Sequence, residues 1–169
     1  MALDYLLQNN NKTAMVWKDC EISYSDMLHE ITKFSTLITE KDSQKKKYAF
    51  DKIAIISENR PEWTYALYGA WHSDKIAIPI DAQSSMSELS YILHDAKPGI
   101  VFCSSETEKT VHEAVKQITE KQYAENILII NFDTINSDVK TAGTVDAIPF
   151  PNDDPHKTAL IIYTSGTTG

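Results

Sequence analysis

The 169-residue chain has only two cysteines, Cys20 and Cys103, too few for a disulfide framework. Cys103 ends an apolar run, so it is expected to be a small buried hydrophobe. Basic residues are also scarce. Sixteen Lys and Arg stand against twenty-four Asp and Glu, a formal net charge of −8. That balance argues against a nucleic-acid binder, which shows a basic patch or stripe. No apolar run approaches the roughly 18 residues of a membrane span. The stretch Met1-Ala2-Leu3-Asp4-Tyr5-Leu6-Leu7 lacks the positive region and apolar length of a signal peptide. The histidines His29, His72, His94, His112 and His156 show no metal-ligand spacing. No internal repeat is visible. A cytoplasmic location is the simplest expectation. Any phosphate ligand has to be held by local donors against an unfavourable overall field.

What is present is ordinary for one globular domain: 42% hydrophobic and 24% charged residues. A chain of this length buries roughly 70% of the surface its unfolded form exposes. Met15, Trp17, Ile22 and Tyr24 alternate around Lys18-Asp19, which predicts a hairpin. Ser25 is expected to cap a helix carrying Leu28, Ile31, Phe34 or Ser35, and Ile38. The run 42–47 is expected to be a solvated linker. Its three lysines offer only weak attraction to an acidic lipid surface, so peripheral membrane contact is a secondary expectation.

Then a rhythm sets in. Apolar strands are predicted at 52–56, 76–80, 99–103 and 126–130. Pro61 opens a helix with Trp63, Ala66, Leu67, Ala70 and Trp71 on one face. Ser85-Met86-Ser87-Glu88 and Ser105-Glu106-Thr107-Glu108 both fit capping boxes. Pro79 argues that its strand lies at an edge or ends there. Strands alternating with helices predict an α/β fold, with a mostly parallel sheet flanked by helices and an N-terminal β-hairpin. A connection of about 25 residues, 133–157, precedes a fifth strand over 158–163 and is long for a compact domain.

That last strand runs into Tyr163-Thr164-Ser165-Gly166-Thr167-Thr168-Gly169. Glycines let backbone N–H groups approach an anion, and the hydroxyls add donors that rotate to fit. The spacing is not the Walker pattern, because only two residues separate Gly166 from Gly169. Glu58 and Arg60 lie just past a predicted strand end, where α/β sheets place ligands, although an ordinary surface pair is the favoured reading.

The heptapeptide resembles the signature loop of the adenylate-forming (AMP-binding) superfamily: acyl-CoA synthetases, luciferases and the adenylation domains of peptide synthetases. Ser57-Glu58-Asn59-Arg60-Pro61-Glu62-Trp63 resembles a segment common in fatty acyl-CoA synthetases. So do Gly69-Ala70-Trp71, Ile78-Pro79-Ile80 and the stretch from Glu88 to Ala96. The resemblance leans toward a long-chain fatty acyl-CoA synthetase. It implies that Thr164, Ser165, Gly166, Thr167, Thr168 and Gly169 hold ATP phosphates. It assigns no catalytic residue and no metal ligand here. It implies ATP, Mg²⁺ and CoA for a full-length parent that makes an acyl-adenylate from a carboxylic acid. On this reading residues 1–169 are the N-terminal part of the large AMP-binding domain, cut at the phosphate loop. The loop lysine, the adenine, ribose and Mg²⁺ residues and the catalytic lysine would all lie further on. The 169-residue chain alone is then expected to be inactive and, with apolar faces uncovered, to self-associate. Two alternatives stay open: an adenylating enzyme with a carrier-protein thiol acceptor, and a non-catalytic phosphate- or nucleotide-binding α/β module.

Overall fold

The computed structural model describes residues 11–44, 50–135 and 156–164. β1 (Thr13–Trp17) and β2 (Cys20–Ser23) form an antiparallel hairpin. Lys18 and Asp19, at φ 46° and 65°, take the left-handed turn between them. α1 (Tyr24–Gln44) follows directly. Its cap is Ser23 rather than the expected Ser25: the Asp26 amide donates to Ser23 Oγ at 3.1 Å, and the Asp26 carboxylate accepts from the Ser23 amide at 3.3 Å. The hairpin ends at Ser23, so the first free helix amides fall within that residue's reach.

The solvated linker expected from residue 42 also needs correcting. Asp42 sits in the last turn of α1 and accepts from Lys75 Nζ at 2.5 Å and from the Phe50 amide at 3.3 Å. Residues 45–47 of that run lie outside the described residues.

The main sheet holds β3 (Lys52–Ile56), β4 (Ile76–Ile80), β5 (Ile100–Cys103) and β6 (Leu128–Asn131), all parallel, in the order β4-β3-β5-β6. The helices α2 (Pro61–His72), α3 (Met86–Ala96), α4 (Glu108–Lys116) and the short α5 (Lys121–Ala124) connect them. The chain steps one way from β3 to β4, then back across β3 to β5 and β6. Right-handed crossovers in opposite directions put their helices on opposite faces of the sheet.

The core shows this division. Ile53, Ile55, Ala77, Ile100 and Phe102 face α1 and α2, with Ile31, Phe34, Ala66 and Ala70 among their neighbours. Ala54, Ile56, Ile78, Val101 and Cys103 face α3 and α4, against Leu89, Leu93 and Val111. Each fully buried Ile or Leu stabilises the fold by about 1.5–3 kcal/mol relative to exposure. Gly69 lets α2 cross α1 closely, because a Cβ there would lie 2.8 Å from Phe34 Cβ.

Ser85 and Glu88 form the expected capping box on α3. The second expected box, on Ser105 and Glu108, does not form. Asp133 takes the Ser105 amide at 2.8 Å, and Thr107 becomes the N-cap of α4. Thr107 Oγ1 instead accepts from the Ser104 amide at 3.1 Å and donates to Ile56 O at 2.9 Å, joining the ends of β5 and β3.

The expected fifth strand reduces to one parallel bridge, Leu160 beside Ala77. The Ala77 amide donates to Ala159 O and the Ile161 amide donates to Ala77 O, both at 3.0 Å. In a parallel strand, alternate residues turn their N–H and C=O to the same side. Pro79 shares this side with Ala77 but has no N–H to give, so the next rung lacks one of its two hydrogen bonds and the ladder goes no further than Ala77. β4 is thus nearly an edge, as its proline suggested. Most of the long connection, 136–155, lies outside the described residues.

Candidate functional site

Two places bear on function: a corner at the carboxyl side of the sheet, and a segment that runs toward that side along β4. In the first, the loops after β3, β5 and β6 meet around Arg60. Its guanidinium donates from Nε to Glu62 at 2.9 Å, from Nη1 to Glu58 at 3.3 Å and from Nη2 to Asp133 at 2.7 Å. The group also lies 5.5 Å from the centre of the Phe132 ring. Only 14% of the Arg60 side chain is exposed, so this is not the ordinary surface pair the sequence favoured. The hydrogen bond to Glu62, above all, raises the arginine further above its ordinary value. The Asp133 carboxyl is held well below its ordinary range, first by Arg60 and then by the Ser105 amide. Asn131 completes the corner, accepting from the Asp133 amide at 2.9 Å and donating to Ser105 Oγ at 3.2 Å.

Asp133 is the partner that sequence reasoning missed. Its signal was a carboxylate two residues past an apolar strand, the same setting that drew attention to Arg60. Arg60 has its donors engaged by three carboxylates, and Thr107 bonds to Ile56 O across the gap between β3 and β5. The corner is therefore built as a clasp between loops rather than as an open ligand crevice.

The second place is the segment His156–Thr164, which leads into the hydroxyl- and glycine-rich loop. Lys157 pairs with Asp74 beyond the end of α2. Trp71 Nε1 donates to Ala159 O at 2.8 Å, so that carbonyl accepts from both α2 and β4. Beyond Leu160, the Tyr163 hydroxyl donates to Asp95 at 2.5 Å, and its ring meets Tyr91 edge-on at 6.5 Å. Asp95 and Tyr91 stand one turn apart on α3. Burial first, and then the Asp95 carboxylate, push the Tyr163 phenol up to about 12.

Because the bridge is parallel, the chain leaves Leu160 in the direction of β4, toward the edge where open α/β sheets bind ligands. Thr164, the first of the expected phosphate donors, is exposed. The others, Ser165, Gly166, Thr167, Thr168 and Gly169, lie outside the described residues.

Two other reactive groups, Cys103 and His72, have structural roles. Burial pushes the Cys103 thiol up to about 12, which leaves it unreactive. His72 Nδ1 lies 2.7 Å from Ser35 Oγ, a hydrogen bond between α2 and α1. Among the described residues no three His, Cys, Asp or Glu side chains group to hold a metal ion. Nor is any described helix long and apolar enough to cross a membrane.

Comparison with known proteins settles the lineage. The profile of the AMP-binding enzyme family matches residues 5–169. The chain belongs to the AMP-binding enzyme family. Among curated members, it is 26% identical over 172 residues to 4-hydroxybutyrate–CoA ligase 2 of Metallosphaera sedula, covering 94% of this chain and 30% of that protein. It is 24% identical over 160 residues to a dimodular nonribosomal peptide synthase of Bacillus subtilis, covering 94% of this chain and 6% of that one. A solved Mycobacterium tuberculosis fatty acyl CoA synthetase superposes with a TM-score of 0.68 at 21% identity, over 87% of this chain and 28% of its own. At that identity the structural likeness speaks for the fold. This AMP-binding chain thus spans about a third or less of the length of these relatives.

Proposed function

We propose that the chain is the N-terminal part of the large AMP-binding domain of an ATP-dependent acid–thiol ligase, and that residues 164–169 supply its phosphate-binding loop. One observation carries the reading. The family match runs through residues 163–169, and the parallel bridge at Leu160 directs residues 161–164 along β4 toward the ligand-binding edge.

The donor set fits the phosphates of ATP. Thr164, Ser165, Thr167 and Thr168 offer hydroxyls, and Gly166 and Gly169 offer unobstructed amides. In the proposed reaction the substrate carboxylate attacks the α-phosphorus of ATP and pyrophosphate leaves. The loop's donors would steady the charge that builds on the leaving group, with Mg²⁺ sharing it. The thiol of CoA would then attack the acyl carbonyl of the adenylate, forming the thioester as AMP and the thiol's proton leave. The metal-binding and later catalytic groups would come from outside this chain, which alone would be inactive. Two free thiols, Cys20 exposed and Cys103 buried, are consistent with a cytoplasmic setting.

A fatty acid is the favoured substrate because residues 57–63 resemble the fatty acyl-CoA synthetases. That support is one of resemblance alone, since Arg60 and Glu62 are engaged in the clasp. The nonribosomal peptide synthase among the relatives keeps a carrier-protein thiol as the second reading. The test is ATP–pyrophosphate exchange by the complete gene product, with a long-chain fatty acid beside short acids and amino acids. Exchange driven by the fatty acid is expected. Exchange driven only by an amino acid would transfer the assignment to the second reading.

Exposed Leu160 and Ile162 would make the isolated 169-residue chain self-associate. Light scattering that gives a monomer at all concentrations would refute this.

A further inference from the structure

We infer that Tyr163 and Asp95 are positioning residues that set where the phosphate loop begins, and so make helix α3 part of the ATP-binding machinery. The inference rests on the reading of residues 164–169 given above.

The argument starts from a deficit in the sheet. An ordinary parallel strand would hold the approach to the loop by a ladder of backbone hydrogen bonds. Here Pro79 presents no N–H at the next rung, and the ladder stops at Ala77. Upstream of the bridge, Lys157 and the Ala159 carbonyl are fixed by Asp74 and Trp71. Downstream, the last described contact before Thr164 is the side-chain bond from Tyr163 to Asp95, 68 residues away in sequence. A phenol donating to a carboxylate at 2.5 Å is a charge-assisted bond, roughly twice as strong as a neutral one. The Tyr91 ring meets Tyr163 edge-on beside this bond.

The tether's other end is firm. Between Tyr91 and Asp95, the same helix buries Ile92 and Leu93 in the core, and the Ser85–Glu88 capping box holds its start. Tyr163 therefore ties the residue next to the loop to a packed helix, where the missing rung would have tied it to a strand. A shift of about 1 Å in the loop's donors is enough to weaken their grip on a leaving phosphate.

The test compares Tyr163→Phe, Asp95→Ala, the double variant and Asp95→Glu in the complete gene product. The first readout needs no activity: hydrogen exchange at the Ile161 amide, whose bond to Ala77 the tether backs up. Loss of the bond should speed that exchange about tenfold in either single variant, with no further gain in the double. Asp95→Glu, which keeps a carboxylate, should recover part of the protection. In pyrophosphate exchange, KM for ATP should rise about three- to tenfold while KM for the acid and Tm stay put.

Unchanged Ile161 exchange in both single variants would overturn the tether. A common shift of both KM values together with Tm would reduce it to a general packing contact and overturn the positioning role. If the wild-type gene product shows no pyrophosphate exchange with any acid, the reading of the loop fails. The Ile161 measurement then decides the tether alone, faster exchange keeping it and unchanged exchange removing it.

Discussion

The Arg60 corner and the segment His156–Thr164 both serve the carboxyl side of one sheet, yet they are built in opposite ways. The corner joins three loops through one largely buried guanidinium, three carboxylates and a threonine hydroxyl. The segment has one backbone bridge and a few side-chain attachments, with Leu160 and Ile162 left exposed. Low local stability is where moving and ligand-binding elements are found. The contrast points to a division of labour: the corner makes the platform rigid, and the segment leads into the proposed phosphate loop while held at few points.

The strongest way to break this contrast is Arg60→Ala. It leaves Glu58, Glu62 and Asp133 facing one another without their cation, and Glu58 Oε2 is already buried with no hydrogen-bond partner. These carboxylates are each more than a third exposed, so water recovers part of the loss. Unfolding in urea should show a loss of about 2–3 kcal/mol. Next comes Gly69→Ala, where the new Cβ would meet Phe34 and the Ser35 amide. Overpacking should cost about 1–2 kcal/mol even after the gain in helix propensity. Both changes should act on global stability.

Trp71→Phe should do the reverse. It removes the indole bond to Ala159 O, so protease cleavage within 156–164 should quicken severalfold while the urea midpoint moves by less than about 0.5 kcal/mol. An equal global loss would erase the distinction between the two regions.

Acid and alkali sharpen it further. The Asp133 carboxyl is depressed by Arg60, so it adds stability that is present above the ordinary aspartate value of 3.8 and is lost as pH falls below that value. Arg60→Ala should flatten this part of a pH–stability curve. The phenols of Tyr65 and Tyr163 are raised from 10.0 to about 12, Tyr65 chiefly by burial. Their contribution is complete below pH 10 and lost between 10 and about 12. Tyr163→Phe should remove its share of the loss from that window.

The sheet, its helices and their facing residues were legible because each is written in a local period. Ile53-Ala54-Ile55-Ile56 is a buried strand from its apolar run, and Ser85 with Glu88 announces a helix start. Errors came where a polar side chain had a choice of partners. Ser105 fits a capping box by spacing, but Asp133, arriving from another loop, takes its amide. Asp42 looked like linker because its ties to Lys75 and Phe50 are tertiary. The loop's composition marked it as a candidate phosphate site, whereas its attachment did not show: nothing around Asp95 or Tyr163 signals that the two meet. The truncated fifth strand was half legible, since Pro79 warned of an edge and the consequence for Ile161 needed the register.

The most direct measurement looks for acyl-adenylate by mass spectrometry, with ATP, Mg²⁺ and a fatty acid given in parallel to the complete gene product and to the 169-residue chain. The account predicts the mixed anhydride from the complete product and none from the short chain. Acyl-adenylate from the short chain, or none from a folded complete product with any acid, would contradict it.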